Sequence, residues 1–66
     1  MNIICNGEPQ QIATGTTIAE LLESLQLKSR QVAVEVNLEI VPREQHATRV
    51  LQDGDQLEVV TLAGGG

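Results

Sequence analysis

The sequence predicts an α+β fold in two layers: a mixed sheet of four to five strands packed on one main helix. Three observations carry that expectation. The chain opens with an apolar, β-branched run broken by Asn6-Gly7. A helical segment follows, with one apolar stripe at Ile18, Leu21, Leu22 and Leu25. Beyond it, Val32, Val34 and Val36 alternate with other residues, and so do Leu57 and Val59. A chain of 66 residues has room for one domain at most. Residues 1–62 are expected to form it, with 63–66 as a flexible C-terminal glycine tail.

Each element has a local cause. Asn2 to Asn6 reads as a strand. Asn6-Gly7 is the strongest short hairpin signal, because both residues tolerate positive φ. The return strand is expected from about Glu8 to Ala13, with Pro9 placing it at a sheet edge. Thr17 and Glu20 have the spacing of a capping box. The stripe after them sits at i, i+3, i+4 and i+7, the spacing of one helix face. Lys28 is placed near the helix end, where a cation suits the dipole. The helix is expected to fray between Gln26 and Ser29.

The valines at 32, 34 and 36 predict a strand with one buried face. Asn37-Leu38-Glu39 reads as a turn, and Ile40-Val41 as a short strand stopped by Pro42. Residues 43–50 fit a single helical turn or an irregular crossing. Val50 and Leu51 are expected to plug one end of the core. Asp53-Gly54-Asp55 is a tight turn, and Gln56 to Leu62 is the last strand. On that strand Leu57 and Val59 face one way, and Glu58, Val60 and Leu62 the other. First and last strands are expected side by side and parallel at the sheet centre, the β-grasp layout.

Composition excludes several functions. Nine acidic residues stand against four basic ones, for a net charge of -5. A phosphate backbone would be repelled. The chain has no Phe, Tyr or Trp on which a base could stack. Nucleic acid is therefore not the expected partner, and a basic protein surface is. The single cysteine makes no internal disulfide. With no secretory signal and no long apolar run, the chain is expected to be cytoplasmic and not membrane-bound. No acid–base pair, activated nucleophile or metal cluster is visible, so the chain does not read as an enzyme.

The chain resembles the ThiS family, the sulfur carriers of thiamine thiazole biosynthesis. The opening M-N-I-I-C-N-G, the helix T-T-I-A-E-L-L-E-S-L and the strand V-A-V-E-V-N carry the likeness. So do I-V-P-R-E-Q-H at Ile40 to His46, the D-G-D turn and the terminal glycines. Gly64 is a departure, since many relatives have two glycines and a small or apolar residue there. The resemblance implies a ubiquitin-like β-grasp and a protein co-substrate whose working group is the Gly66 carboxylate. An E1-like adenylyltransferase (ThiF-type) would use ATP and Mg²⁺ to make the acyl-adenylate. Sulfur from a persulfide would displace AMP and leave a thiocarboxylate. A thiazole synthase (ThiG-type) would take the sulfur. The chain itself would bind no cofactor.

The tail fits such chemistry. A terminal carboxylate is ionised at neutral pH and is a poor electrophile until activated. Without a Cβ, Gly65 and Gly64 can thread a narrow channel. Four residues reach at most about 14 Å. Ile4, Glu58, Val60 and Leu62 are candidates for a partner-binding patch beside the tail.

Plainer readings stand beside the rest. Cys5 is expected to pack as a small hydrophobe. His46 has no second ligand near it in sequence and reads as a surface or boundary histidine. Asp53 and Asp55 read as turn residues, and Arg43 with Glu44 as a solvated pair. Three alternatives remain at this stage. The chain could be the small subunit of molybdopterin synthase, a protein modifier joined through Gly66, or a plain β-grasp interaction domain with an inert tail.

Overall fold

The computed structural model describes residues 1–62. The expectations for the tail, Gly64, Gly65 and Gly66 included, lie outside the described residues. The strands are β1 (Asn2–Cys5), β2 (Glu8–Gln11), β3 (Val32–Val36), β4 (Glu39–Ile40) and β5 (Gln56–Thr61). The helix α1 spans Ile18–Ser24, and two single 3-10 turns span Ser29–Gln31 and Arg43–Gln45. The strands form one sheet in the order β2-β1-β5-β3-β4. β1 and β5 are parallel, and every other pair is antiparallel. The expected β-grasp is present, with the last strand inserted beside the first. Among the described residues no helix is long and apolar enough to cross a membrane.

One layer of side chains joins helix and sheet. Ile18, Leu21 and Leu22 from α1 meet Ile3 and Cys5 of β1, Val32, Val34 and Val36 of β3, and Leu57 of β5. Val41 and Leu51 complete the cluster, and Leu25 is only partly buried at its margin. The plug expected of Val50 and Leu51 is therefore Leu51 alone, since Val50 is exposed. Each fully buried aliphatic side chain contributes about 1.5–3 kcal/mol. With no aromatic residue available, β-branched and leucine side chains, with Cys5, make up the core cluster.

Asn6 and Gly7 take φ of 52° and 81°, the two positive values a tight hairpin needs. Pro9 lies on β2, an outer strand of the sheet, opposite Ile4. β2 is shorter than expected and ends at Gln11. At the helix start the Glu20 amide donates to Thr17 Oγ1 at 3.2 Å, and the Thr17 amide donates to Glu20 Oε1 at 2.9 Å. Two more first-turn amides donate to a distant segment: Ile18 to the Arg49 carbonyl at 3.1 Å and Ala19 to the His46 carbonyl at 2.9 Å. The first three helical amides are thus satisfied within the fold.

The helix end differs from the expectation. It does not fray between Gln26 and Ser29. The Gln26 amide donates to the Glu23 carbonyl and the Leu27 amide to the Leu22 carbonyl, both at 2.9 Å. This is a Schellman closure, with Gln26 at φ 62° in the place glycine usually holds. Leu27 then packs on the core. Lys28 lies beyond this closure and no base occupies the last helical turn, so the dipole role expected of it fails. A left-handed residue with a Cβ costs about 1–2 kcal/mol. Gln26→Gly is therefore expected to stabilise the protein by about 1 kcal/mol, raising the melting temperature by about 4–8 °C in a domain of this size. Thermal unfolding of the variant checks it.

His46 is the larger correction. It is 2 % exposed rather than at the surface. Its Nε2 lies 3.2 Å from the Val41 carbonyl and its Nδ1 2.9 Å from Ser29 Oγ. A carbonyl can only accept, so in the neutral ring Nε2–H donates to Val41 and Nδ1 accepts from Ser29. The ring ties the segment after β4 to the turn before β3. Burial of a polar ring is tolerated because both nitrogens are paired.

Candidate functional site

The region around the end of β5 is built by alternation. Leu57 and Val59 turn toward the helix, and Leu57 is buried. Glu58 and Val60 turn to the opposite face, which no element among the described residues covers. Val60 is 57 % exposed and Leu62, one residue past the strand, 46 %. β1 lies beside β5 with Ile4 opposite Gln56, so Ile4 shares that outer face and is half-buried there. The structure thus brings Ile4, Glu58 and Val60 onto one uncovered sheet surface, with Leu62 at its end. The last described backbone tie is the Leu62 amide donating to the Gln31 carbonyl at 2.9 Å.

Sequence reasoning missed part of this face. Glu35 of β3 stands directly opposite Glu58, and Ile40 of β4 stands opposite Glu35. Ile40 is 67 % exposed, and Leu38 at the hairpin tip is 89 % exposed with φ 70°. The signal was available. A two-residue turn at Asn37-Leu38 pairs Val36 with Glu39, which sends Ile40 to the outer face. Facing carboxylates on neighbouring strands repel one another. That repulsion is relieved when a cation sits between them.

The other singled-out residues belong to the fold. The Asn2 amide donates to Asp53 Oδ1 at 2.7 Å. The Gln52 amide donates to Asp55 Oδ2 at 2.8 Å, and Asn37 Nδ2 donates to Asp55 Oδ1 at 3.0 Å. Both carboxylates of the D-G-D turn are thus engaged in holding β1, β5 and the β3–β4 turn together. Among the described residues no group of three or more His, Cys, Asp or Glu could hold a metal ion. Arg43 and Glu44 lie exposed on the second 3-10 turn.

Cys5 is buried in the core, as its packing reading required. Burial pushes its thiol above the ordinary value, and the nearby charges of Glu58 and Glu8 push the same way. The thiolate is the reactive form. Alkylation of the folded protein at neutral pH is therefore expected to be far slower than in denaturant, and intact mass after iodoacetamide treatment measures it. The folded state holds the proton more tightly than the unfolded one. The associated stability is present below the thiol's ordinary value and is lost as pH rises through the raised folded one. Cys5→Ala should lack that alkaline component.

Comparison with known proteins bears on the whole chain. A model described as the ThiS family matches residues 3–66. The chain is 42% identical over 66 residues to the sulfur carrier protein ThiS of Escherichia coli, covering 100% of both. It is 46% identical over 66 residues to the thiazole synthase of Paramagnetospirillum magneticum, of which it spans 20%. A solved structure of the thiamine biosynthesis protein ThiS from Geobacter metallireducens superposes with a TM-score of 0.84 at 35% identity, covering 100% of both chains.

Proposed function

This chain belongs to the ThiS family of sulfur carrier proteins of thiamine thiazole biosynthesis, and on that premise we propose that the acyl end at Gly66 is the group that carries the sulfur. The observation that carries the proposal is the family match through residue 66, which takes in the glycine end. Nothing described in the folded body competes for the role. The one thiol is buried, the aspartates are engaged, and the first helical amides are satisfied.

The chemistry then runs on the tail. The Gly66 carboxylate attacks the α-phosphorus of ATP in an E1-like, ThiF-type enzyme, and pyrophosphate leaves. The terminal sulfur of a persulfide attacks the acyl carbon, a C–S bond forms, and AMP leaves. A thiol reduces the remaining S–S bond, which releases the thiocarboxylate and a disulfide. Mg²⁺ and the phosphate clamps belong to the enzyme, and the carrier contributes reach and position. Gly64 and Gly65 thread the channel. Ile4, Glu58, Val60 and Leu62 form the docking face at the base of the tail, with Ile40 extending it. The opposed Glu35 and Glu58 suit a partner that brings a cation to that face.

A ThiG-type thiazole synthase is the receiver. A relative named thiazole synthase carries a segment like this chain over a fifth of its own length. That favours the thiazole customer over molybdopterin synthase. An inert tail would predict no effect of trimming it. The test is intact-mass analysis after incubation with ATP, Mg²⁺, the activating enzyme and a persulfide. The expected result is one sulfur-for-oxygen exchange, mapped to Gly66. An unchanged mass would remove the proposal.

A further inference from the structure

We propose that the activating partner adds an extended strand to β5 at Thr61, on the side where β1 has already ended. This proposal rests on the sulfur-carrier reading above. It follows from where the backbone groups of β5 point. The Asn37 amide donates to the Gln56 carbonyl and the Leu62 amide to the Gln31 carbonyl. Even-numbered residues of β5 therefore direct their amides and carbonyls toward β3. Odd-numbered ones face β1: the Leu57 carbonyl accepts from the Asn6 amide at 2.9 Å.

At Val59 the ladder with β1 finishes in an unusual way. The main chain of β1 has turned away at Asn6-Gly7, and the Asn6 side chain replaces it. The Val59 amide donates to Asn6 Oδ1 at 2.8 Å, and Asn6 Nδ2 donates to the Val59 carbonyl at 3.2 Å. Two residues later the amide and carbonyl of Thr61 point the same way, past the end of β1. Among the described residues nothing takes up this rung, which sits on an exposed residue immediately before the tail.

A second observation separates this half-edge from the other sheet margins. Open edges invite foreign strands unless guarded by proline, charge or shortness. β2, one outer strand, carries Glu8 and Pro9. β4, the other, is two residues long, includes Glu39 and is followed by Pro42. The open rung is flanked by Val60 and Leu62, with no charge and no proline. It is the β-compatible and unguarded margin, and strand addition is a standard way to bind such an edge.

Pairing here has a consequence for chemistry. A slip of one rung, two residues, moves a strand by about 7 Å. Reacting atoms must meet at about 3–3.5 Å. Main-chain pairing at Thr61 fixes the register five residues before the acyl carbon. The apolar face supplies area, and the open rung sets how far the tail enters.

The test uses Thr61→Pro. The fold makes no use of the Thr61 amide toward β3, so the unfolding midpoint is expected to stay near that of the natural protein. Affinity for the activating enzyme is expected to fall about tenfold or more through loss of the pairing donor, with sulfur gain falling in step. Should the proline variant not fold, amide-to-ester exchange at the same bond keeps the side chain and replaces the N–H by an oxygen that cannot donate, with a weakened Val60 carbonyl toward β3. The Thr61 amide should exchange quickly in the free carrier and slowly in the complex. Natural-like binding by the ester variant, or an unprotected Thr61 amide in the complex, overturns the proposal. So does a homodimer held through this edge in sedimentation. A natural protein that gains no sulfur at all would instead overturn the carrier reading, whatever Thr61 does.

Discussion

Deletion of Gly66 is expected to leave a folded protein that gains no measurable sulfur. The truncated chain still ends in a glycine carboxylate, so its intrinsic reactivity is unchanged. What it loses is reach. One residue of extended chain spans about 3.3–3.6 Å, roughly the whole distance over which a near-attack contact is made. A misplacement of 1 Å already costs about 100-fold, so loss of a full residue should take loading below detection. Gly65→Val tests the other property of the tail. Its length is kept, but a branched Cβ enters the channel and narrows the dihedrals open to the backbone. Loading is expected to fall at least about 100-fold on the same geometric ground. The core cluster is drawn from described residues of α1, the sheet and the segments between them, so both variants are expected to melt with the natural protein. Intact mass and thermal unfolding on one sample separate the two effects. Loading of either variant at the natural rate would show that the acyl end is not what the enzyme positions.

The fold was legible where the cause is local. The capping box at Thr17 and Glu20, the Asn6-Gly7 turn and the alternation from Val32 to Val36 each depend on neighbours a few residues away. They could be read before any tertiary contact was known. His46 could not. Its burial depends on Ser29, 17 residues away, and on a carbonyl on the far side of Pro42. Gln26 was missed because glycine is the usual mark of a left-handed closure, and here the Leu27 contact and two carbonyl bonds hold a side-chain-bearing residue in it. Asp55 reads in the sequence as a turn residue, and its bond to Asn37 exists only because β5 lies beside β3. The candidate site divides in the same way. The glycine end is visible in the letters alone, and the outward residues of β5 follow from alternation. The open rung at Thr61 follows from none of these. It exists because β5 lies between β1 and β3 and is the longer of the parallel pair.

Leu22→Ala is expected to cut loading sharply without touching the tail. Leu22 is 1 % exposed and sits where α1 meets the sheet. Truncating a buried leucine costs about 2–5 kcal/mol, through lost transfer energy and the cavity left behind. A single small core supplies only about 3–5 kcal/mol of net stability. With no aromatic residue available to collapse into the gap, most of the variant should be unfolded at 25 °C. Sulfur gain should fall with the folded fraction, because the proposed docking face and the proposed pairing rung at Thr61 exist only when β1, β3 and β5 are assembled. An osmolyte excluded from the protein surface, such as trimethylamine N-oxide, favours the compact state. It should restore circular dichroism and sulfur gain together. A synthetic peptide of residues 60–66 should not be loaded at the concentrations that saturate the natural carrier. Full loading of the unfolded variant, or of the peptide, would mean that the enzyme reads the glycine end by itself and that the folded body has no part in presenting it.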